Sequence, residues 1–233
     1  MWSDTLLPDS YSYPQKEVKD GLDDAVEAFG HGEPVLVHDD DDRKNEIDLV
    51  YPAHAVTPSD VARLRNDAGG LICVALAHDV AEVFDLPFLH DAVDHPAGRS
   101  PAIAYDDRSS FSLTVNHRDT FTGVVDNDRA RTIAELGEAA RDPDAVDFAT
   151  EFDTPGHVQL LKAAPELLDD RQGHTELGIA LADLAGVPPA VVVCEMLDDQ
   201  TGGALSRSGA ESYARDNDAV FLNGGTIVDK LDG

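Results

Sequence analysis

Long apolar runs and basic side chains are both scarce in this chain of 233 residues. No stretch approaches the roughly 20 apolar residues that a membrane-spanning helix needs, which argues against an integral membrane protein. The chain carries 17 Lys and Arg against 46 Asp and Glu, so its net charge is -29. That charge would repel a nucleic-acid backbone rather than neutralise it. We therefore expect neither a membrane nor a nucleic-acid partner.

Cysteine is scarce as well. Cys73 and Cys194 are the two cysteines, and each lies inside an apolar stretch. We therefore expect two buried free thiols and no disulfide framework. The first ten residues include Asp4 and Asp9 and lack the basic start and apolar centre of a secretory signal. A cytoplasmic location is the expectation.

Such acidity could indicate disorder, but regular apolar periodicity runs through the chain and favours a folded protein. We interpret the acidic residues as a solvated coat suited to high salt. The apolar content of 42% is enough for one substantial core. Because no internal repeat or linker interrupts the pattern, we predict a single domain over residues 1–233.

The order of apolar patterns predicts an α+β fold, a layered domain with a mixed central sheet and helices on both of its faces. Residues 71–77 are apolar without alternation, as in a strand that is covered on both sides. The stretch 78–108 is irregular and predicts loops and short helical turns. Further strands are predicted at 35–37, 47–50, 111–115, 190–197 and 220–222. Helices are predicted at 18–29, at 208–216 and near the C-terminus. Two more are predicted after the N-caps Thr57 and Asp128, and another begins at Thr175.

The first candidate site is the stretch 39–48, which contains six acidic and two basic residues between two predicted strands. Charge runs of this kind are usually solvated surface. Sheet proteins, however, often bind ligands in turns at the ends of interior strands. Clustered carboxylates are also the oxygen donors that Mg²⁺ prefers. The stretch is therefore a candidate metal site.

The second candidate is the segment RQGHTE at 171–176, at the start of an apolar helix. Backbone N–H groups and the positive helix end favour an anion there, and Gly173 permits close approach. Arg171 can bind two phosphate oxygens and Thr175 can donate a hydroxyl. His174 is a candidate metal ligand or proton carrier. The alternative is that Thr175 is only the N-cap of the helix and His174 a surface residue.

Three further segments contain residue types that are common both in structural roles and in active sites. Pro155, Gly156 and His157 are most simply a helix-terminal turn. Glu195 ends an apolar strand, where it is either a surface residue or a general acid or base with a raised pKa. Cys73 is most simply an inert core thiol.

Together these segments resemble the family of 3,4-dihydroxy-2-butanone 4-phosphate synthases over roughly residues 18–231. The stretch 143–153 and the FTG form of the central motif resemble archaeal members more than bacterial ones. Seven ordered matches support the resemblance: DDRKNEIDLV, DAGGLICVAL, SSFSLTVNHR, FTGVVDNDRARTI, TPGHVQLLKAA, RQGHTE and VVVCEM.

The resemblance implies a homodimeric lyase that converts ribulose 5-phosphate to the four-carbon phosphate and formate in riboflavin biosynthesis. It implies Mg²⁺ as cofactor, with Mn²⁺ as the alternative ion. The reaction proceeds by enediol formation, loss of water, a carbon shift and release of formate. Each step builds negative charge on oxygen and needs positioned acids and bases.

The resemblance also implies roles for individual residues. His174 would be a metal ligand. The catalytic residues would be Glu195, Asp48, Cys73 and Glu46. Asp39 would lie near the sugar. The residues that bind substrate would be Arg43, Asp48, Thr122, His157, Arg171, Gln172, Gly173, Thr175 and Glu195.

One position departs from the family pattern. Members usually have a metal-binding Glu directly after the arginine of the acidic turn, and here Lys44 follows Arg43. A charged ammonium has no lone pair for Mg²⁺, so Glu46 is the nearest substitute. The alternative function is a weakly active or non-catalytic paralogue that keeps the fold and the phosphate site. A purely acidic scaffold or metal-binding module is a third hypothesis, in which RQGHTE would have no purpose.

Overall fold

The computed structural model describes residues 21–39, 45–96 and 109–231. Its strands are β1 (Val35–His38), β2 (Ile47–Pro52), β3 (Cys73–Leu76), β4 (Phe111–His117), β5 (Phe152–Lys162), β6 (Ala190–Glu195) and β7 (Val220–Asn223). Its α-helices are α1 (Leu22–Gly30), α2 (Pro58–Arg63), α3 (His78–Val83), α4 (Leu89–Ala92), α5 (Asp126–Ala139), α6 (Phe148–Glu151), α7 (His174–Ala185), α8 (Arg207–Asn217) and α9 (Gly224–Leu231). The predicted helical residues 18–20 and the irregular residues 97–108 lie outside the described ranges.

The seven strands form one mixed sheet in the order β4-β5-β3-β6-β2-β1-β7. β3 pairs with β5, and β1 with β7, in parallel, whereas the other neighbouring strands are antiparallel. The predicted α+β fold with a mixed central sheet is therefore confirmed. In the described part of the chain, no helix combines the length and apolar character that a bilayer crossing requires.

Helices cover both faces of this sheet. On one face α7 lies so close that a Cβ atom added at Gly178 would be 2.8 Å from Cγ2 of Val191. On the other face the Sγ atom of Cys194 lies 3.9 Å from the carbonyl oxygen of Leu64, in the helical turn that continues α2. Since successive side chains of a strand point to opposite faces, these contacts explain why all residues of β6 but the last are buried.

Strand register brings three predicted site residues to the same end of three interior strands and to the same face of the sheet. Asp48 on β2 lies directly opposite Glu195 on β6, and Cys73 on β3 lies opposite Val193. Paired residues share a face, as do residues two apart along a strand. The Asp48, Cys73 and Glu195 side chains therefore lie together on the face that α7 covers.

The predicted N-cap of α5 is wrong. The helix begins at Asp126, and its N-cap Val125 lies three residues before the predicted N-cap Asp128. The Asp128 carboxylate instead accepts hydrogen bonds from the backbone N–H groups of Thr122 and Gly123, each at 2.9 Å. An acid in the first helical turn can bind donors of the preceding loop as well as those of its own helix, which is why the pattern placed the start too late.

The expected helix-terminal turn at residues 155–157 is also wrong, because these residues lie within β5. The bond between Thr154 and Pro155 is cis. A Cβ atom at Gly156 would lie 2.0 Å from the carbonyl carbon of Val115, so the two strand backbones approach closely there. Proline and glycine are unusual in a strand interior, and their presence concealed β5 from the sequence pattern.

Candidate active site

A cleft of about 220 Å³ lies at the end of strands β2, β3 and β6, beside the N-terminus of α7. It brings together most of the residues that the sequence identified. Its lining residues are Asp39, Glu46, Asp48, Leu71, Cys73, Phe111, Leu161, Arg171, Gly173, His174, Thr175, Val193 and Glu195.

A larger cavity of about 500 Å³ lies between α1 and the turn that follows α8. It contains none of the predicted site residues, although acidic side chains such as Asp24 and Glu27 are among its lining residues. We place the site in the smaller cleft, because carboxylates, a histidine, an arginine and a helix N-terminus converge there.

Two hydrogen bonds between Asp39 and Glu46 join the two ends of the acidic turn. The N–H group of Asp39 donates to the carbonyl oxygen of Glu46 at 3.2 Å, and the N–H group of Glu46 donates to Oδ1 of Asp39 at 2.9 Å. These bonds place the two side chains on the same wall of the cleft. Arg43 and Lys44 lie outside the described residues, so their roles stay predictions.

One group of side chains could hold a metal ion. A ring nitrogen of His174 and one carboxylate oxygen each of Asp39 and Glu46 lie within 4.8 Å of one another. His174 Nδ1 lies 3.4 Å from Oδ1 of Asp48, and Nε2 is buried with no hydrogen-bond partner among the described residues. A carboxylate that orients a histidine, with further carboxylates nearby, is a common arrangement around divalent metals. The residues present therefore fit a divalent cation.

The charge of the cleft supports the same conclusion. Four carboxylates line it, from Asp39, Glu46, Asp48 and Glu195, whereas Arg171 is its one permanently charged cation among the described residues. Carboxylates that share a small site repel one another unless a cation or protons compensate their charge. A divalent ion would supply that compensation.

The opposite wall of the cleft is the start of α7. The helix begins at His174 with Gly173 as its N-cap, so Thr175 lies within the first turn and the predicted start was one residue late. Backbone N–H groups in this turn have no partner within the helix and favour an anion. The Arg171 side chain is only 20% exposed, and its Nη1 donates a hydrogen bond to Oγ of Ser110. Together these groups form an anion-binding wall.

Cys73 lies in the floor of the cleft with an exposed fraction of 6%. Burial, with a smaller contribution from the Asp48 charge, raises the pKa of its thiol to about 12. The thiol is therefore protonated near neutral pH, where it can donate a hydrogen bond but cannot act as a thiolate nucleophile.

Three predicted binding residues do not line this cleft. Gln172 lines a neighbouring cleft beside α9. Thr122 lies in the exposed loop before α5, where its hydroxyl and N–H group bond to Asp128. His157 is exposed on β5, and its N–H group donates to Oδ1 of Asn116 at 2.8 Å. Within one chain, none of these three residues belongs to the carboxylate-lined cleft.

The structure also adds residues that the sequence did not identify. Leu71 and Phe111 are exposed apolar residues at the rim of the cleft, and Ser110 contacts Arg171. Glu176 is fully buried in the first turn of α7. An acidic residue among the apolar positions of a buried helix is a signal that could have identified Glu176, since a buried carboxylate needs a partner.

Comparison with known proteins decides the family. Residues 23–230 match the family described as 3,4-dihydroxy-2-butanone 4-phosphate synthase. A protein of that name from Archaeoglobus fulgidus is 47% identical over 220 residues, which cover 89% of this chain and 92% of the relative. One from Methanosarcina mazei is 46% identical over 227 residues and covers 92% of each chain. The chain belongs to the 3,4-dihydroxy-2-butanone 4-phosphate synthase family.

Solved structures agree with this assignment. A 3,4-dihydroxy-2-butanone 4-phosphate synthase in complex with two magnesium ions is similar with a TM-score of 0.78 and 29% identity, over 91% of this chain and 97% of the other. A synthase from Candida albicans is similar with a TM-score of 0.76 and 30% identity, over 92% and 99% of the two chains. The predicted family, fold and enzyme class are therefore confirmed.

Proposed function

We propose that this synthase-family enzyme converts D-ribulose 5-phosphate to 3,4-dihydroxy-2-butanone 4-phosphate and formate in riboflavin biosynthesis in the cytoplasm. The cofactor is Mg²⁺, with Mn²⁺ as the alternative ion. One observation carries the proposal: an anion-binding helix start and a carboxylate-histidine cluster line the same cleft. A sugar phosphate needs both, since its phosphate and its hydroxyl groups bind different chemical partners.

The phosphate group binds at the start of α7. Arg171 supplies a charge-assisted and planar donor, and Thr175 supplies a hydroxyl in the first turn. Gly173 leaves the backbone N–H groups accessible. This local positive potential offsets the net charge of -29 on the chain, which would otherwise repel an anionic substrate.

The metal would be held by His174 and Glu46, as expected from the sequence, and by Asp39, which the structure adds. A divalent cation bound there would stabilise negative charge on the substrate oxygens. The magnesium complex of the related synthase supports this cofactor. Arg171, on the opposite wall, keeps the phosphate end of the substrate apart from these carboxylates.

Asp48 and Glu195 move protons. They lie directly opposite each other on β2 and β6, so their Cβ atoms are about 5 Å apart. One carboxylate can accept the proton of a sugar carbon while the other returns a proton to oxygen, as enediol formation and loss of water require. Cys73 keeps its proton and donates a hydrogen bond to a sugar oxygen.

The active form in this proposal is a homodimer. Thr122 and His157 do not line the cleft of their own chain, and we place them at the cleft of a second copy, where they contact the substrate phosphate. The loop before α5 exposes large apolar side chains, and Phe121 is 97% exposed there. Exposed apolar patches of this kind often mark protein interfaces.

A mixing experiment tests the shared site. Arg171→Ala and His157→Ala variants, each with strongly reduced activity at low substrate concentration, should recover about a quarter of wild-type activity per chain when refolded together, since one of the two sites in each mixed dimer has both residues. Light scattering after size exclusion gives the mass in parallel. Absence of complementation, or a monomeric active enzyme, would contradict the dimer proposal.

The central experiment measures formate released from ribulose 5-phosphate. We expect release with Mg²⁺, loss after chelation and recovery on addition of Mg²⁺. The second candidate function, a weakly active or non-catalytic paralogue, is favoured by Lys44 at the position where family members usually carry a metal-binding Glu. Substrate binding without formate release at any Mg²⁺ concentration would support the paralogue and overturn the lyase.

A further inference from the structure

A fully buried carboxylate lies behind the anion-binding wall. Glu176 has an exposed fraction of 0%, although it is an acid in the first turn of α7. Its Oε1 accepts a hydrogen bond from the N–H group of Ala164 at 3.1 Å, which joins α7 to the segment after β5. Its Oε2 lies 3.6 Å from Nη1 of Arg171. Glu176 itself does not line the cleft.

Charge and burial make Arg171 the partner that Glu176 needs. Burial raises the pKa of the Glu176 carboxyl, whereas the Arg171 charge and the Ala164 N–H group act in the opposite direction. A buried carboxylate is tolerated only with a cation and hydrogen bonds around it. The contact therefore constrains both side chains: a displaced guanidinium would leave the carboxylate uncompensated.

The N-cap glycine is packed against this pair. A Cβ atom added at Gly173 would lie 3.2 Å from Oε2 of Glu176 and 3.4 Å from Cζ of Arg171. Any larger residue would press against both groups. The guanidinium is thus bounded by the helix start on one side, by Glu176 behind it and by Ser110, to which Nη1 donates.

We propose that Glu176 is a positioning residue that fixes the Arg171 guanidinium for substrate phosphate, and the proposal rests on the proposed role of Arg171. An arginine side chain has many rotamers, and ordering it on binding reduces affinity. Glu176 orders it beforehand. Because a guanidinium has five donors, contacts through Nη1 are compatible with phosphate binding.

The test compares kinetics of Glu176→Gln with the wild type. The amide keeps the size and an acceptor for Ala164 but removes the charge that orients Arg171. We expect the KM for ribulose 5-phosphate to rise about tenfold, the effect of leaving one such side chain unordered, with kcat changed less than about threefold. A substitution that weakens phosphate binding without affecting the reacting carbons raises KM and leaves kcat nearly unchanged. Glu166→Gln, an exposed acid outside the cleft, is the matched control and should change neither constant.

A double-mutant cycle separates this proposal from the proposed function. If Glu176 acts through Arg171, then Glu176→Gln adds nothing to the KM of Arg171→Ala. It should also recover part of the melting temperature that Arg171→Ala loses, since the uncompensated buried charge is removed. If Arg171→Ala leaves KM unchanged, the phosphate site itself is wrong.

If Arg171→Ala raises KM but Glu176→Gln does not, or if the two effects multiply, Glu176 does not position Arg171 and the proposal is overturned. Should Glu176→Gln fail to fold, Glu176→Asp tests the same inference. It keeps the charge but withdraws the carboxylate from Nη1, and we expect the same rise in KM. An unchanged KM in that variant would overturn the proposal.

Discussion

Replacing His174 with alanine tests the metal site most directly. From its place at a helix start, the sequence indicates a side chain with little packing and thus a small effect on unfolding. The structure differs, because the His174 side chain is only 10% exposed and contacts Asp48. We therefore expect His174→Ala to lose about 1–2 kcal/mol of unfolding free energy without metal, as truncations of partly buried side chains do.

The metal-dependent effect should be larger. An ion present at 100 times its dissociation constant stabilises the folded state by about 2.7 kcal/mol. For a chain of this length, that raises the melting temperature by about 5–10 °C. Loss of one of three ligands should weaken binding at least about 100-fold, since even residues that only orient ligands contribute 10- to 100-fold. The remaining stabilisation is then about 0.4 kcal/mol, or roughly 1 °C.

The assay is thermal unfolding with and without Mg²⁺ at constant ionic strength, beside formate release. His31→Ala is the control, because His31 is exposed and lies outside the cleft. We expect it to keep the full Mg²⁺-dependent shift and the activity. The metal assignment is refuted if His174→Ala retains the Mg²⁺-dependent shift. Loss of stability alone, with normal metal dependence, would give His174 a structural role.

Three further predictions follow from charge and burial. Lys44→Glu should tighten Mg²⁺ and raise formate production about tenfold or more, since it removes a positive charge where the family usually places a ligand; equal activity of the two forms at equally low Mg²⁺ would contradict this. Cys73 and Cys194 should not react with a disulfide reagent at pH 8 in the native protein, because burial raises the pKa of each thiol to about 12. Both should react after denaturation, and a rapid native reaction at Cys73 would show that its thiol is accessible. The melting temperature should rise by at least about 5 °C between 0.1 and 2 M KCl, because salt screens the repulsion within a chain of net charge -29; a flat or falling curve would exclude an acidic coat adapted to salt.

The Cys73 thiol also predicts the sign of an alkaline effect on stability. Its pKa is raised from an ordinary value of 9.0 to about 12 in the folded state. Between these values the unfolded chain has released the proton that the folded chain retains, so stability falls as pH rises from about 9 to 12. Burial raises the pKa of Cys194 and of Tyr213 to about 12 as well, so these groups contribute a slope of the same sign. Cys73→Ala should therefore reduce the slope, measured by denaturant unfolding, without removing it, and an unchanged slope would show that Cys73 does not contribute.

Local sequence signals determined most helices and strands and several of the site residues. Thr57 is the N-cap of α2, as predicted, with Pro58 as the first helical residue, and Gly186 ends α7 in the left-handed conformation. These signals act within one helical turn, so they can be recognised without knowledge of the fold. The RQGHTE segment and the acidic turn were candidates for the same reason, since each carries its chemistry on adjacent residues.

Only the tertiary structure decided which of these segments meet. Asp39 and Glu46 reach His174, more than 100 residues later in the chain, because β2 pairs with β6 and α7 packs on the same face. The sequence pattern missed β5, since its strand pairing overrides proline and glycine, and it gave no role to Glu176. The strand β5 and the role of Glu176 both depend on which strands and loops lie side by side. Periodicity along one segment does not encode that order, so the sequence pattern could not reveal them.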